Sequence, residues 1–440
     1  MCVQPQNPFM TNYHNLSNRV SSVFYGWWLV SLTVILLTFT SLGIFQGLGT
    51  FIVALERHFG WSRTSLTGAF ALARVEGSIL GPIAGLFIDR IGTRRMFMIG
   101  FSIMGFGFLL FSVVQELWHF YAAFAVITLG SGLGTWLALV SCVNNWFIRR
   151  RAIALAIATS GIHLGGFLVP LLALGIESSG FRAVTAGIGT IMLVLSVIGA
   201  RFIRNRPEEY NLRPDGDLPE GTSEQLIAVD QPIKPLLDEP QFTTRQAVRT
   251  QAFWFIALAH ASSSVGIITL SVHLVPKLTD EGISLATAAL VVTTYTAVAI
   301  PFQILVGYIA DKVPKPPLLA ISLSVQATSL VVIAVSSSLE IAFVFAFLFG
   351  AAFGGRMPLL TSIRGEYFGR RSFASITGLS QLPSNLLMLG APIFAAYFNE
   401  IQGSYFIPFI SIAAFNYLGA LFALLAKKPG IPKDQILISE

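Results

Sequence analysis

Twelve long apolar segments dominate this sequence, each about as long as the roughly 20-residue helix that crosses a membrane. Their approximate ranges are 25–50, 64–87, 96–114, 118–142, 152–175, 182–203, 252–276, 285–310, 317–336, 341–362, 374–397 and 405–425. Only 11% of the residues are charged and 54% are hydrophobic, whereas soluble domains carry about 25% charged residues. Membrane barrel strands are only about 10 residues long and alternate in polarity. The predicted fold class is therefore an all-α membrane protein.

A proline-rich, charged segment over residues 204–240 separates six spans from six, and its composition is typical of a solvated linker. The predicted organisation is an N-terminal tail (1–23), a six-helix bundle (24–203), a linker (204–250), a second six-helix bundle (251–426) and a C-terminal tail (427–440). The first tail lacks the basic and short apolar regions of a cleavable signal peptide.

Lysine and arginine are unevenly distributed between the short loops, and their excess marks the cytoplasmic side of a membrane protein. Loops on the side of the N-terminus carry Arg90, Arg94, Arg95, Arg149, Arg150, Arg151, Lys312, Lys315, Arg364, Arg370 and Arg371. The other loops carry Arg57, Arg63, Arg182 and Lys277. We therefore predict a multi-pass protein of the plasma (cell inner) membrane with both termini in the cytoplasm, and no nucleic-acid partner.

The two halves of the chain repeat one another. "GLFIDR" at 85–90 recurs as "GYIADK" at 307–312, and "WFIRRR" at 146–151 recurs as "YFGRRS" at 367–372. Pro170 likewise matches Pro392. Each half holds an even number of spans, so both copies start on the same side, as in a parallel repeat about an axis along the membrane normal. We predict two six-helix bundles around a central cavity.

The segment "GLFIDRIGTRR" resembles the loop signature of the major facilitator superfamily between its second and third helices. The matching positions are Gly85, Asp89, Arg90, Gly92, Arg94 and Arg95. The segments "YGWW", "WFIRRRAIALAIATSGIHLGG", "SVHLVPKLTDEGIS" and "YFGRRSFASITGL" are similar to the branch of monocarboxylate transporters and oxalate/formate antiporters. The resemblance implies secondary active transport by alternating access.

A conformational latch between the halves is the function that this resemblance implies for the loop motif. Gly85 lets a neighbouring helix approach closely, and Asp89 lies where an acid can pair across a helix boundary. The alternative is a basic cluster that only sets topology. In the second copy "VPKPP" follows Asp311 and Lys312, so we expect a weaker latch there.

Three charged residues are predicted to lie well inside the membrane: Arg74, Glu76 and Arg356. Such charges are costly and usually face a bundle interior or a water-filled cavity. Arg74 and Glu76 are two positions apart and point about 200° away from each other, so they need different partners. Arg356 lies in the glycine-rich "GAAFGGRMPLL", which matches "GSGLGTW" in the first half, and interrupted helices at matching positions indicate a transport site. The alternative for all three is structural packing.

The candidate substrate-binding residues are therefore Arg74, Arg356, His260 and His163, with Glu76 as the candidate for proton coupling. Both histidines lie within spans, where a neutral ring can hydrogen-bond a substrate or take up a proton; packing is the alternative. The resembling transporters commonly use an arginine in the eighth span, but Gln303 occupies that position here. Arg74 and Arg356 would then supply the positive charge from other helices.

The leading prediction is a secondary active transporter of a small organic anion, such as a mono- or dicarboxylate, with protons as the candidate coupling ion. The alternatives are a proton-driven exporter of hydrophobic or cationic compounds, and a transporter-like ligand sensor. The sequence shows no P-loop, metal-ligand cluster or nucleophile motif, so we predict neither enzyme activity nor a cofactor or metal. The expected partners are a small anion and the lipid bilayer, and the expected state is a monomer.

Overall fold

A computed structural model describes residues 24–216, 240–283, 285–335 and 338–432, and this part of the chain is helical without any strand. Ten helical stretches in it are long and apolar enough to cross a membrane. One of them, Leu171–Phe202, contains the end of one span and all of the next, because the backbone turns at Gly180 (φ 80°). The helices Arg63–Ile91 and Leu382–Gln402, with polar residues in their interiors, complete twelve spans within the described residues.

The first six spans follow one another as a chain of antiparallel helices. Span 1 consists of Tyr25–Ser41, the π turn Leu42–Gln46 and Leu48–Phe59; span 2 is Arg63–Ile91; span 3 is Thr93–Ser112; span 4 consists of Leu117–Gly134 and Trp136–Trp146; span 5 consists of Arg151–Leu164, the 3-10 turn Gly165–Leu168 and the helix that starts at Val169; span 6 runs from Gly180 to Phe202. Together they form the first bundle.

The second bundle repeats this order after the short helix Thr244–Val248. Span 7 is Gln251–Asp280; span 8 is Leu285–Ala310; span 9 is Lys315–Val335; span 10 is Leu339–Phe368; span 11 consists of Phe373–Ser380 and Leu382–Gln402; span 12 is Phe406–Leu425. We call the side that holds the ends of the linker, at Ile203 and Pro240, the linker side, and the opposite side the far side.

Small residues let the helices approach closely inside each bundle. An added Cβ at Gly100 or Gly134 would overlap the backbone of the facing span, and one at Gly354 would overlap the carbonyl of Ala299. Large apolar side chains such as Ile393 (70% exposed) cover the outer surface instead, as expected of helices that contact lipid. The predicted all-α membrane fold, with two six-helix bundles around a cavity, is confirmed.

The first part of the predicted linker packs against the first bundle. The indole of Trp146 donates a hydrogen bond to the carbonyl of Arg204 (3.0 Å). The carboxylate of Asp215 accepts hydrogen bonds from the backbone N–H groups of residues 148, 149 and 150, at 2.8 to 3.1 Å. Residues 204–216 of the predicted linker thus pack against the first bundle, with Pro207 and Pro214 buried and the others exposed or half-buried, while residues 217–239 lie outside the described part of the chain.

Span 10 is longer than the sequence predicted. Its helix continues past residue 362 to Phe368, so Arg364 is a buried helix residue (1% exposed) and the prediction that it belongs to a loop is wrong. Arg151 and Arg370, which were also counted as loop residues, are buried as well.

Candidate functional site

A cavity of about 420 Å³ lies between the two bundles, near the middle of the molecule. It is lined by spans 1, 2, 4 and 5 from the first bundle and by spans 7, 10 and 11 from the second. The lining residues are Leu37, Thr40, Ser41, Phe45, Gly81, Ser131, Gly132, Thr135, Trp136, Leu137, Ile162, His260, Ser264, Arg356, Met357, Gly378, Gln381, Ser384, Asn385 and Met388. Because both bundles contribute to its wall, a movement of one bundle against the other changes the shape of this cavity.

Two aspartates join the bundles on the linker side in the same way. The carboxylate of Asp89, at the end of span 2, accepts hydrogen bonds from the backbone N–H groups of Ala374 (3.2 Å) and Ser375 (2.8 Å). The carboxylate of Asp311, at the end of span 8, accepts hydrogen bonds from the backbone N–H groups of Ala152 (2.8 Å) and Ile153 (3.0 Å). Each carboxylate thus caps the first turn of a helix in the opposite bundle, where N–H groups lack helical partners.

These two contacts are equivalent by the internal repeat, since every residue of the first has its counterpart 222 positions away in the other half. The bond lengths are similar in the two copies. The expectation that the second copy is the weaker one is therefore not met by the carboxylate geometry. The second copy lacks the glycine and arginines that follow Asp89 in the first copy. Those residues take no part in the contact between the bundles.

Glycines bring the backbones of the two bundles together beside the aspartates. An ideal Cβ on Gly85 would lie 2.5 Å from the carbonyl oxygen of Ala374, and one on Gly307 would lie 3.0 Å from the carbonyl oxygen of Ala152. A real Cβ essentially never lies closer than 3.0 Å to such an atom and seldom closer than 3.4 Å, so these glycines let the backbones of the two bundles approach closely. Asp89 and Asp311 can reach the opposite N–H groups because the backbones are this close.

Further polar contacts close the linker side. Arg370 donates a hydrogen bond to the carbonyl of Asn145 (2.8 Å) and forms an ion pair with Glu208 (2.7 Å). Deeper in the membrane, the amide of Gln303 donates to the carbonyl of Ala156 (2.8 Å). Among the described residues, the hydrogen bonds between the bundles all lie between the linker side and the level of Gln303. The structure is thus a state in which the cavity is closed toward the linker side.

The cavity wall carries a buried cluster of basic side chains. Arg356, on span 10 about 18 Å from the linker-side end of its helix at 1.5 Å per residue, donates a hydrogen bond to the hydroxyl of Ser264 (3.3 Å). Arg364 is on the same helix, two turns closer to the linker side. Its Nη2 atom lies 3.0 Å from Nδ1 of His260. Ser264 and His260 both belong to span 7. The cluster therefore ties spans 7 and 10 together at the cavity.

Among the carboxylates whose side chains the structure describes, none forms an ion pair with Arg356 or Arg364. Their exposed fractions are 7% and 1%, and the Nε atom of each has no hydrogen-bond partner in the described structure. A buried charge normally has a partner, because an isolated one is costly in a medium of low dielectric constant. The cluster is thus suited to an anionic ligand, with Arg356 and His260 at the cavity surface.

The other predicted site residues are placed differently. His163 is not among the cavity-lining residues; its ring packs edge-on against Phe353, with 5.4 Å between the ring centroids. Arg74 and Glu76 lie in the middle of the helix Arg63–Ile91, but their side chains fall outside what the structure describes.

The predicted helix interruptions occur in only one half. Span 4 breaks at Thr135 (φ −100°, ψ −101°), beside the cavity. Span 10 continues as one helix through Gly350, Gly354 and Gly355, so the predicted interruption there is wrong. These glycines instead allow close packing against span 8.

The arginines of the loop motif lie away from the contact between the bundles. Arg90, Arg94 and Arg95 are exposed. Gly92 has a φ of 88°, a conformation that favours glycine, and the side-chain oxygen of Asn205 accepts a hydrogen bond from the backbone N–H of Arg94 (2.9 Å). In the described structure, Gly85 and Asp89 are the motif residues that contact the second bundle.

The sequence reasoning missed Arg364 as a member of the site. A signal was available: Arg364 follows Arg356 by eight residues, so two helical turns separate them and their directions differ by only about 80°. The prediction failed because the apolar run was taken to end at residue 362. Ser264 also has no charge or motif that would mark it.

Comparisons with known proteins agree with this architecture. A family model described as Major Facilitator Superfamily matches residues 34–280 and 256–437. Monocarboxylate transporter 12 of mouse is 23% identical over 407 residues, covering 88% of this chain and 82% of the relative. The oxalate:formate antiporter of Oxalobacter formigenes is 25% identical over 354 residues, covering 78% of this chain and 78% of the relative. The solved fucose:proton symporter of E. coli has the same fold, with a TM-score of 0.65 at 11% identity over 91% of this chain and 98% of that one.

Proposed function

Because the chain belongs to the Major Facilitator Superfamily, a family of membrane transporters, we propose that it moves a small organic anion across the membrane by alternating access. A mono- or dicarboxylate is the proposed substrate class. The names of the relatives, which include monocarboxylate transporters and an oxalate:formate antiporter, support the same class of substrate.

The observation that carries this proposal is the pair of buried guanidinium groups without a described carboxylate partner. Arg356 faces the cavity, where its planar group can bind a carboxylate through two parallel hydrogen bonds. The neighbouring His260 adds a polar contact to the same wall. A cavity of about 420 Å³ is large enough for a small carboxylate and excludes large solutes.

The contacts between the bundles support the alternating-access part of the proposal. Asp89 and Asp311 hold the linker side closed, and this latch must release for the cavity to open on that side. We assign the linker side to the cytoplasm, because the exposed arginines Arg90, Arg94 and Arg95 lie there. In this orientation, the structure is closed toward the cytoplasm. The predicted domain bounds, at residues 24–203 and 251–426, are the proposed moving units.

Uptake into proteoliposomes tests the proposal. The purified protein is reconstituted and offered radiolabelled formate, lactate and oxalate, with and without a pH gradient and with and without an anion loaded inside. We expect uptake of at least one anion, and its dependence on the gradient or the internal anion separates symport from exchange. A protein that moves none of the three, but moves an organic cation under the same conditions, would refute the anion assignment.

A further inference from the structure

The hydrogen bond between Arg364 and His260 fixes the protonation state of the histidine. A guanidinium group has only donors, so Nδ1 of His260, 3.0 Å away, must be the acceptor. The imidazole is therefore neutral in this state and carries its proton on Nε2. His260 lines the cavity, whereas Arg364 lies behind it and does not.

Protonation of His260 and its bond to Arg364 exclude each other. A proton on Nδ1 turns the acceptor into a donor, and the guanidinium of Arg364 must then find another acceptor. The charged groups that act on His260 from the helices around it are Arg364 and Arg356, both on span 10; the other helices packed against span 7 add none within the described residues. A third positive charge in this cluster is unfavourable unless a negative charge enters with it.

We propose that His260 is the site at which a proton is taken up together with the anionic substrate, and that this protonation releases Arg364 to bind the substrate. This inference rests on the proposed anion transport. In the first state the anion meets Arg356 alone, because Arg364 is held by His260. In the second state the proton occupies Nδ1, and the freed Nη2–H of Arg364 donates to the carboxylate instead. Proton and anion thereby favour each other's binding, and this coupling is reciprocal.

The coupling also assigns separate tasks to the two arginines. Arg356 provides affinity at every pH, because its contact with Ser264 does not depend on the histidine. Arg364 contributes only when His260 is protonated, so its contribution should appear as pH falls. A cluster that only stabilised packing would show no such difference between two arginines of one helix.

Isothermal titration calorimetry on the purified full-length protein tests this proposal. Formate, lactate and oxalate are titrated at pH 6, 7 and 8, each in two buffers of different ionisation enthalpy, which gives the number of protons taken up per anion. For the wild-type protein we expect up to one proton per anion, and a Kd that rises by up to tenfold per pH unit as pH increases. Binding without any proton uptake over this range would overturn the inference but leave the anion proposal intact.

Two variants separate His260 from other proton sites. In His260→Asn the side-chain oxygen can still accept from Arg364 but cannot be protonated, so proton uptake should vanish and the Kd should become independent of pH. In Arg364→Gln the gain in affinity between pH 8 and pH 6 should be lost, because the guanidinium group that joins the anion after protonation of His260 is absent. Thermal unfolding checks that both variants fold.

Glu76 is the other candidate for the site of proton uptake, so Glu76→Gln is the matched control. Unchanged proton uptake in this variant supports the assignment to His260. Proton uptake that persists in His260→Asn and disappears in Glu76→Gln would overturn the inference. If the wild-type protein binds none of the three anions, the proposed function itself fails, and that outcome is distinct from pH-independent binding.

Discussion

A methyl group at Gly85 should open the linker side of the transporter. In the closed state an ideal Cβ at this position would lie 2.5 Å from the carbonyl oxygen of Ala374 and 2.8 Å from Cα of Ser375. An ordinary contact starts at 3.4 Å, and both neighbours are backbone atoms of the opposite bundle. Gly85→Ala therefore disfavours the closed state, because the three atoms nearest to the added Cβ all belong to the opposite bundle.

The size of the effect follows from the cost of overpacking. Inserting an extra methyl group into a well-packed contact typically costs about 1–3 kcal/mol. Since about 1.4 kcal/mol corresponds to a factor of ten in an equilibrium constant, the ratio of linker-side-open to closed molecules should rise by about 5- to 150-fold. The clash disappears when the bundles separate, so nearly all of this cost acts on the equilibrium between the two states.

Distance measurement by pulsed electron spin resonance reports this ratio. Spin labels are placed at Arg95→Cys and Arg371→Cys, two exposed positions on the linker side of different bundles, after Cys2 and Cys142 are replaced by alanine. In Gly85→Ala we expect a population with a longer distance between the two spin labels. This population should be minor in the labelled protein that keeps Gly85.

Gly187→Ala is the control, because an added Cβ there has no neighbour within 4 Å. It should leave the distance distribution unchanged, since alanine in an open helical position affects only helix propensity. Equal distributions in Gly85→Ala and Gly187→Ala would refute the idea that this backbone contact holds the linker side closed.

Three further predictions concern the site, the latch and the orientation. Arg356→Ala should weaken binding of the transported anion by about tenfold or more, since hydrogen bonds to charged groups contribute about 1.5–3 kcal/mol each, and Arg356→Lys should fall between; equilibrium binding measures both. Asp89→Asn and Asp311→Asn should impair uptake to a similar extent because their bonds match, and a native rate in only one of them would contradict the equivalence. A cysteine at Gly221 should react with an impermeant reagent in inverted vesicles but not in intact cells.

The fold could be predicted from the sequence because a membrane imposes it. Helix length, hydropathy and the 222-residue offset between "GLFIDR" and "GYIADK" are local or additive properties of the chain. The same offset also identified Asp311 as the counterpart of Asp89. It could not show that each aspartate caps a helix of the opposite bundle, because that depends on how the two repeats pack.

The candidate site was predicted only in part, for a related reason. Arg356 and His260 stand out because charged and titratable groups are rare within spans, and both lie at the cavity. Arg364 was assigned to a loop because a charge near the end of an apolar run normally marks the membrane border. In the structure its helix continues to Phe368, and His260 of another span accepts a hydrogen bond from its guanidinium group. The glycines before Arg356 were taken for an interruption, although they serve close packing.

The latch between the bundles has an evolutionary consequence. Apart from the side chain of Ser375, which also hydrogen-bonds to Asp89, the partners of Asp89 and Asp311 are backbone N–H groups, which every residue except proline possesses. The latch therefore places no demand on which side chains occupy positions 152, 153 and 374 beyond their size. Related sequences can exchange residues there without a compensating change at either aspartate. A search for correlated substitutions would find no paired signal at these three positions, even though the contact joins the two halves of the molecule.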